Sequence, residues 1–105
     1  MRTVYNNILP LKGFAAINLF GVLFVRKNVI LTDRIVNHER IHTAQMKELW
    51  YVFFYVWYAL EWLVKLFRYG SGSYRNVSFE REAYHKDWDL GYLEKRKRFG
   101  FLKYI

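Results

Sequence analysis

The sequence predicts one α+β domain that is mainly helical, with short N-terminal β-strands followed by three helices. The chain has 105 residues, of which 53% are hydrophobic, so one core can be filled with apolar side chains. Residues that favour strands are concentrated in the segment 14–31. After that segment no Gly or Pro occurs before Gly70, which favours helix over the same length.

The N-terminal part of the chain is predicted to contain the strands. Residues 1–12 are predicted to be irregular. The segment 14–31, FAAINLFGVLFVRKNVIL, is rich in β-branched and aromatic residues and predicts two or three short strands. One of the turns is predicted as a hairpin around Lys27 and Asn28. A buried helix over residues 14–25 is the alternative, because periodicity does not separate the two for a short apolar run.

A first long helix is predicted to begin after the strands. Thr32 and Asp33 are both suitable N-cap residues, and the apolar positions that follow fit one helix face as far as Leu49. The helix is predicted to continue, straight or bent, through the aromatic segment 50–67.

A last helix is predicted beyond a loop. The Gly and Ser residues of the segment 69–73 predict that loop. Asn76 or Ser78 is then predicted to cap a helix that spans residues 78–97.

The aromatic content indicates a boundary between water and an apolar phase. Nine Phe, nine Tyr and four Trp make up 21% of the chain. Aromatic rings with polar tips suit protein interfaces and membrane headgroup regions. The apolar stretch 49–67 has Glu61 and Lys65 four residues apart, so the two charges are predicted to pair on one helix face. This stretch is predicted to lie on a membrane surface or to be deeply packed, with a spanning helix as the alternative.

The charge of the chain favours an anionic partner. The formal net charge is +8, and the predicted basic tail, residues 94–105, holds five of the 17 basic residues. Such a tail attracts anionic lipid, nucleic acid or an acidic protein, or is simply a solvated face. Nucleic acid is disfavoured because no nucleic-acid motif is present. The predicted partner is a membrane surface, contacted through residues 49–67 and the tail.

Two absences in the sequence constrain the chemistry and the location. The chain has no cysteine, which excludes disulfides and thiolate metal sites within it. No signal peptide is recognisable, so the predicted location is cytoplasmic or at the cytoplasmic face of the inner membrane. The oligomeric state is not predicted.

The motif HERIH at residues 38–42 fits the pattern H-E-x-x-H. On a helix, His38 and His42 project from one face and reach a single zinc ion. Glu39 lies beside that face, where its carboxylate holds a zinc-bound water and takes its proton during attack on a carbonyl. The motif therefore predicts a zinc site with Glu39 as the catalytic base.

Two residues are candidates for the third metal ligand, His85 and Glu80. Glu80 is followed by Ala83, and this combination with the HERIH motif resembles the gluzincin group of zinc metallopeptidases. The similarity is greatest to the membrane-linked branch that includes the CaaX prenyl proteases and their bacterial heat-shock relatives, and it covers roughly residues 32–90. The motifs also resemble a group of small bacterial proteins. The resemblance implies a minimal zincin-like domain in which His38, His42 and Glu80 bind zinc.

One position departs from the pattern of this family. Tyr84 stands where the prenyl-protease branch has an Asp that supports a ligand histidine. That support is predicted from Asp87 or Glu82, or from the Tyr84 hydroxyl, or it is absent and the site is degraded. Gln45 lies one turn beyond His42 and is predicted to contact the metal ligands, a substrate or solvent.

Chain geometry restricts how the ligands meet. In one straight helix over residues 33–67, His42 and Phe67 would lie ~37 Å apart. Residues 68–80 reach only ~45 Å when fully extended, which a Gly- and Ser-containing loop is not. The three-ligand site therefore predicts a bend or a break between Leu49 and Phe67, with the aromatic segment in the plane of a membrane or folded as a hairpin.

The sequence thus predicts a zinc-dependent metallopeptidase or related hydrolase that acts on peptides or proteins at or near a membrane surface. The alternative is a non-catalytic, membrane-associated interaction protein with a structural or vestigial metal site.

Overall fold

The structure is a computed structural model that describes residues 2–8 and 16–105. It confirms an α+β fold that is mainly helical. The strands are Arg2–Asn6 (β1), Ala16–Leu19 (β2) and Val22–Arg26 (β3). The helices are Asp33–Glu48 (α1), Val52–Tyr69 (α2), Ser73–Asn76 (α3), Ser78–Lys86 (α4) and Tyr92–Lys95 (α5). Two 3₁₀ segments cover Gly70–Gly72 and Gly100–Tyr104.

The strands form a three-stranded sheet in the order β1-β3-β2. β1 runs parallel to β3, with Arg2 opposite Val22, and β2 runs antiparallel to it. The predicted irregular conformation is therefore wrong for residues 2–6, whose partner strand lies about 20 positions further along the chain. The alternative helix over 14–25 is wrong for residues 16–25, and residues 9–15 lie outside the described part of the chain.

The hairpin turn lies at Phe20 and Gly21 and not at Lys27 and Asn28, so the predicted turn position is wrong. Leu19 pairs with Val22, which leaves a loop of two residues. Both loop residues have positive φ, 52° and 85°, as the tight turns of twisted hairpins require. The Gly21 amide donates a hydrogen bond to Asn18 Oδ1 at 3.0 Å, which stabilises this turn.

Helix α1 begins as predicted. Thr32 is its N-cap, and the Thr32 hydroxyl accepts a hydrogen bond from the amide of Ile35 at 3.1 Å. Asp33 lies in the first turn, where its charge is favourable to the helix dipole. Helix α1 buries Ile41 and Met46, and it exposes Arg40 on the opposite side.

A sharp corner separates α1 from α2, which confirms the predicted break. Trp50 and Tyr51 both have positive φ, 55° and 58°. The Val52 amide donates a hydrogen bond to the carbonyl of Trp50 at 2.6 Å, so Tyr51 is the centre of a γ-turn. A positive φ has a steric cost at both residues, because only Gly adopts this backbone conformation freely.

Replacing Trp50 by Gly should stabilise the protein by about 0.5–1 kcal/mol, because it removes the strain of the left-handed backbone. Trp50 is 78% exposed, so little packing is lost. Urea denaturation measures the difference. The matched control is Leu90→Gly at an exposed position with negative φ, which should destabilise the protein. If Trp50→Gly lowered the free energy of unfolding as much as the control does, the backbone at Trp50 would not be strained.

Aromatic rings form the centre of the largest buried cluster described by the structure. Met46, Phe54, Val77, Phe79 and Phe101 form this cluster. The ring of Phe79 lies 4.5 Å from that of Phe54 and 4.6 Å from that of Phe101. Much of the aromatic content therefore serves the core.

The C-terminal half differs from the predicted pattern at three places. Helix α2 runs to Tyr69 and is followed by a 3₁₀ turn and α3, so the loop predicted over 69–73 is wrong. The predicted helix over 78–97 ends at Lys86, and the chain then folds back to pack Phe101 into the core. The predicted basic tail 94–105 is thus in part folded structure.

Helix α4 is capped from another helix. Its N-cap is Val77, which has no side-chain cap, so the prediction of Asn76 or Ser78 is wrong. The carboxylate of Glu61 on α2 instead accepts hydrogen bonds from the amide and the hydroxyl of Ser78, both at 2.6 Å. Glu61 also pairs with Lys65 at 2.6 Å, as predicted. The charged pair of α2 therefore points towards the protein.

Within residues 2–8 and 16–105, no helix combines the length and the apolar character needed to cross a bilayer.

Candidate metal centre

Helices α1 and α4 bring together three of the predicted metal ligands. His38 and His42 lie one turn apart on α1, and their Nε2 atoms are 3.2 Å from each other. Glu80 lies in the first turn of α4, and its Oε1 is 3.3 Å from His38 Nε2 and 3.0 Å from His42 Nε2. All three residues are buried, and they form the group in the described part of the chain that could hold a metal ion.

The hydrogen bonds of Gln45 determine the tautomer of His42. The Gln45 amide nitrogen donates to the carbonyl of Phe79 at 3.0 Å and to Glu82 Oε1 at 2.9 Å. Because both partners only accept, the Gln45 oxygen must be the atom 2.8 Å from His42 Nδ1. His42 therefore donates from Nδ1 and presents the lone pair of Nε2 to the centre.

Asp87 determines the tautomer of His38 in the same way. His38 Nδ1 donates to Asp87 Oδ2 at 3.0 Å, and Asp87 Oδ1 accepts a hydrogen bond from Arg34 Nε at 2.7 Å. The Asn37 amide nitrogen donates to the carbonyls of Asp87 and Asp89, both at 2.9 Å, which ties the end of α4 to α1. His38 thus also presents the lone pair of Nε2.

Three possible ligand atoms therefore lie within 3.3 Å of one another. Two imidazole nitrogens and one carboxylate oxygen form a ligand set that zinc binds with its fourth position open, so the chemistry of these donors fits zinc. Without a metal, a proton takes this place: burial lowers the pKa of His42, but the Glu80 carboxylate outweighs burial and raises that pKa from 6.5 to about 9. A metal ion entering the centre must displace this proton.

The second oxygen of Glu80 is held from α2. Burial raises the pKa of Glu80, but His42 and His38 outweigh this and keep that pKa well below its usual range. The Tyr58 hydroxyl donates to Glu80 Oε2 at 2.9 Å. Burial and the Glu80 charge raise the pKa of Tyr58, so Tyr58 remains a donor. One oxygen of Glu80 thus faces the two histidines, and the other is held by Tyr58.

Glu39 lines a cavity whose wall also includes His42 and Glu80. Burial raises the pKa of Glu39, against the opposing effect of the two histidines. The Asn18 side chain donates to the carbonyl of Glu39 at 2.9 Å and to the hydroxyl of Thr43 at 2.8 Å. These bonds attach β2 to α1 beside the proposed base.

The cavity has a volume of about 360 Å³ and lies between β2 and the N-terminal half of α2. Most of its wall is apolar, including Ile17, Met46 and Phe54, and its polar lining residues include His42 and Glu80 of the metal centre. A cavity with an apolar body and a few convergent polar groups is typical of a ligand site.

The other predicted site residues occupy different positions. Gln45 is fully buried behind His42, to which it is hydrogen-bonded. It therefore contacts no solvent and is not one of the residues that line the cavity. The ring of Tyr84 lies edge-on against His38 with centroids 4.6 Å apart, and the Arg75 guanidinium lies over the Tyr84 ring. His85, the alternative third ligand, is exposed beside Tyr104 and outside the group of ligands.

Two residues with a structural role at the centre were not found from the sequence. Tyr58 is one of many aromatic residues in its segment, and no spacing marks it as a donor to Glu80. Arg96 was assigned to the basic tail, although its guanidinium binds the buried carboxylate of Glu82 at 2.6 Å. Glu82 lies two residues after Glu80, so it projects from the other side of α4 and orients Gln45.

No protein-family model, curated protein or solved structure matches the chain. The case for the metal centre is carried by the geometry of its own side chains.

Proposed function

We propose that the chain is a zinc-dependent hydrolase of the metallopeptidase type, with a zincin-like arrangement of strands and helices and Glu39 as general base. One observation carries the proposal. His38, His42 and Glu80 bring two imidazole nitrogens and one carboxylate oxygen within 3.3 Å of one another, next to a cavity that Glu39 also lines. These donors, with the H-E-x-x-H spacing on α1, are the ligand set of a zinc site with an open fourth position.

The residues divide the chemistry among them. His38, His42 and Glu80 would hold zinc, which when bound polarises the scissile carbonyl and makes water more acidic. Glu39 takes the proton of the attacking water as the new C–O bond forms. The same carboxyl then gives this proton to the leaving amine as the C–N bond breaks. Burial raises the pKa of Glu39, which makes its carboxylate a stronger base than an exposed one.

The proposed substrate is a peptide or protein with a large apolar side chain. Among the described residues β2 pairs with β3, and the proposed peptide lies in extended form along β2, beside the cavity. The apolar cavity beside β2 would then receive a substrate side chain next to Glu39.

The proposed place of action is at or near a membrane surface. The proposed location of the protein is the cytoplasm or the cytoplasmic face of the inner membrane. The net charge of +8 supports the membrane surface because anionic headgroups attract a basic protein.

Elemental analysis of the purified protein tests the metal. The wild type should carry about one zinc ion per chain, and His38→Ala should lose it, because two remaining ligands hold zinc weakly. His85→Ala is the matched control, since His85 lies outside the ligand group, and it should keep its zinc. Zinc retained by His38→Ala, or absent from the wild type, would overturn the proposal. Bound zinc without hydrolysis would favour the non-catalytic alternative.

A further inference from the structure

Helix α2 carries a continuous apolar surface on its outer side. We define this outer face by six residues that repeat at helical spacing: Phe53, Val56, Leu60, Leu63, Val64 and Phe67. Each is about half exposed or more, from 49% for Leu63 to 89% for Phe67. The face has no charged or hydrogen-bonding side chain. Contiguous exposed apolar surfaces of this kind mark interaction sites.

Two of the three charged residues of α2, Glu61 and Lys65, lie on its inner side, where an ordinary surface helix has its apolar residues. Glu61 accepts hydrogen bonds from Trp57 and Ser78, and Lys65 donates to Glu61 and to the carbonyl of Asn76. The side chains of Glu61 and Lys65 are only 9% and 12% exposed. Covering the outer face therefore removes no charge from water, because the protein already satisfies both charges.

Exposed aromatic residues with polar tips occur before, within and at the end of α2. Trp50 precedes the helix and is 78% exposed, and Trp62 and Tyr69 are 40% and 36% exposed. The exposed Arg68 lies in the last turn. Trp, Tyr and Arg in these positions are typical of a helix at the headgroup level of a membrane.

Two occupants fit an apolar helix face: a lipid surface and a second copy of the chain. Homodimer interfaces are more apolar than other protein interfaces, so the composition of the face fits both occupants. Two copies with a net charge of +8 each repel one another, whereas an anionic bilayer attracts the chain. The charge therefore favours lipid.

We infer that the outer face of α2 docks on an anionic lipid bilayer, with the helix parallel to the membrane and its apolar side chains at the boundary of headgroups and acyl chains. Helix α2 has 18 residues, so the contact is ~27 Å long. The inference rests on the membrane-surface part of the proposed function and is independent of zinc and of hydrolysis.

Co-sedimentation with vesicles tests the docking face. The full chain should bind phosphatidylcholine vesicles that contain phosphatidylglycerol, and bind pure phosphatidylcholine vesicles more weakly. Leu63→Glu and Phe67→Glu should each reduce binding at least about tenfold, because a carboxylate replaces buried apolar surface. Leu90→Glu changes an exposed apolar residue outside α2 and is the matched control, which should bind like the wild type. Circular dichroism and zinc content should be equal in all variants.

Three results would overturn the inference. Vesicle binding that neither α2 variant weakens would place the membrane contact elsewhere and leave the membrane-surface proposal standing. A wild-type chain that binds neither kind of vesicle would overturn both. A dimer in sedimentation equilibrium that Leu63→Glu dissociates, without vesicle binding, would assign the face to a second copy. None of these results bears on hydrolysis, which Glu39 variants test separately.

Discussion

Replacing Glu39 by Gln should abolish peptide hydrolysis while zinc remains bound. Gln has the size of Glu but cannot take a proton from water, and loss of a general base lowers rates by roughly 10²–10⁴-fold. The ligand atoms of His38, His42 and Glu80 are untouched by this change. Hydrolysis of fluorogenic peptides with large apolar residues measures the rate, and elemental analysis measures the zinc.

The control for this change is Glu94→Gln, which makes the same substitution at an exposed position of α5. It should keep both zinc and activity. Hydrolysis by Glu39→Gln at a rate close to that of the control would contradict the role of Glu39 as the base. Loss of zinc from Glu39→Gln would show that Glu39 contributes to metal binding, which the described ligand group does not require.

Replacing Arg96 by Ala should destabilise the protein by about 3–5 kcal/mol, the effect of removing one partner from a buried ion pair. The Arg96 guanidinium binds Glu82 at 2.6 Å and Glu48 at 2.9 Å, and the side chains of Arg96 and Glu82 are 5% and 0% exposed. Without Arg96, the buried carboxylate of Glu82 has lost its cation. Chemical denaturation of zinc-free protein measures the free energy of unfolding.

The neighbouring residue provides the control. Lys95 pairs with Asp89 at 2.7 Å, but the Lys95 side chain is 66% exposed, so water screens the pair. Lys95→Ala should have a much smaller effect on stability than Arg96→Ala. Equal effects of the two changes would contradict the importance of burial. Because Glu82 orients Gln45 and Gln45 orients His42, Arg96→Ala should also weaken zinc binding.

The local features of the fold could be predicted from the sequence. The N-cap at Thr32 and the common face of His38 and His42 depend only on residues within a few positions of each other. The need for a break after Leu49 followed from chain length. The position of the break did not follow from chain length. The corner lies at Trp50 and Tyr51, and no Gly or Pro marks it in the sequence.

Several of the wrong predictions concern contacts between distant parts of the chain. The partner strand of β1 lies about 20 residues further along the chain, so no local pattern in residues 2–6 predicts a strand. Glu61 caps a helix that begins 17 residues later, and this contact turns the charges of α2 inward. The basic run that includes Arg96 predicts a tail that contacts a membrane surface or is solvated, because such a run does not reveal a buried carboxylate opposite one of its residues.

The two sides of α2 together define a distance. Phe54 and Tyr58 on the inner side line the cavity beside Glu39, while Phe53 and Val56 belong to the outer face. A helix with its side chains is ~10–12 Å across, so a membrane that covers the outer face lies about that far from the cavity. An extended chain covers this distance in about three residues. A membrane-bound hydrolase of this geometry would cleave peptide bonds that lie about this distance from the bilayer surface.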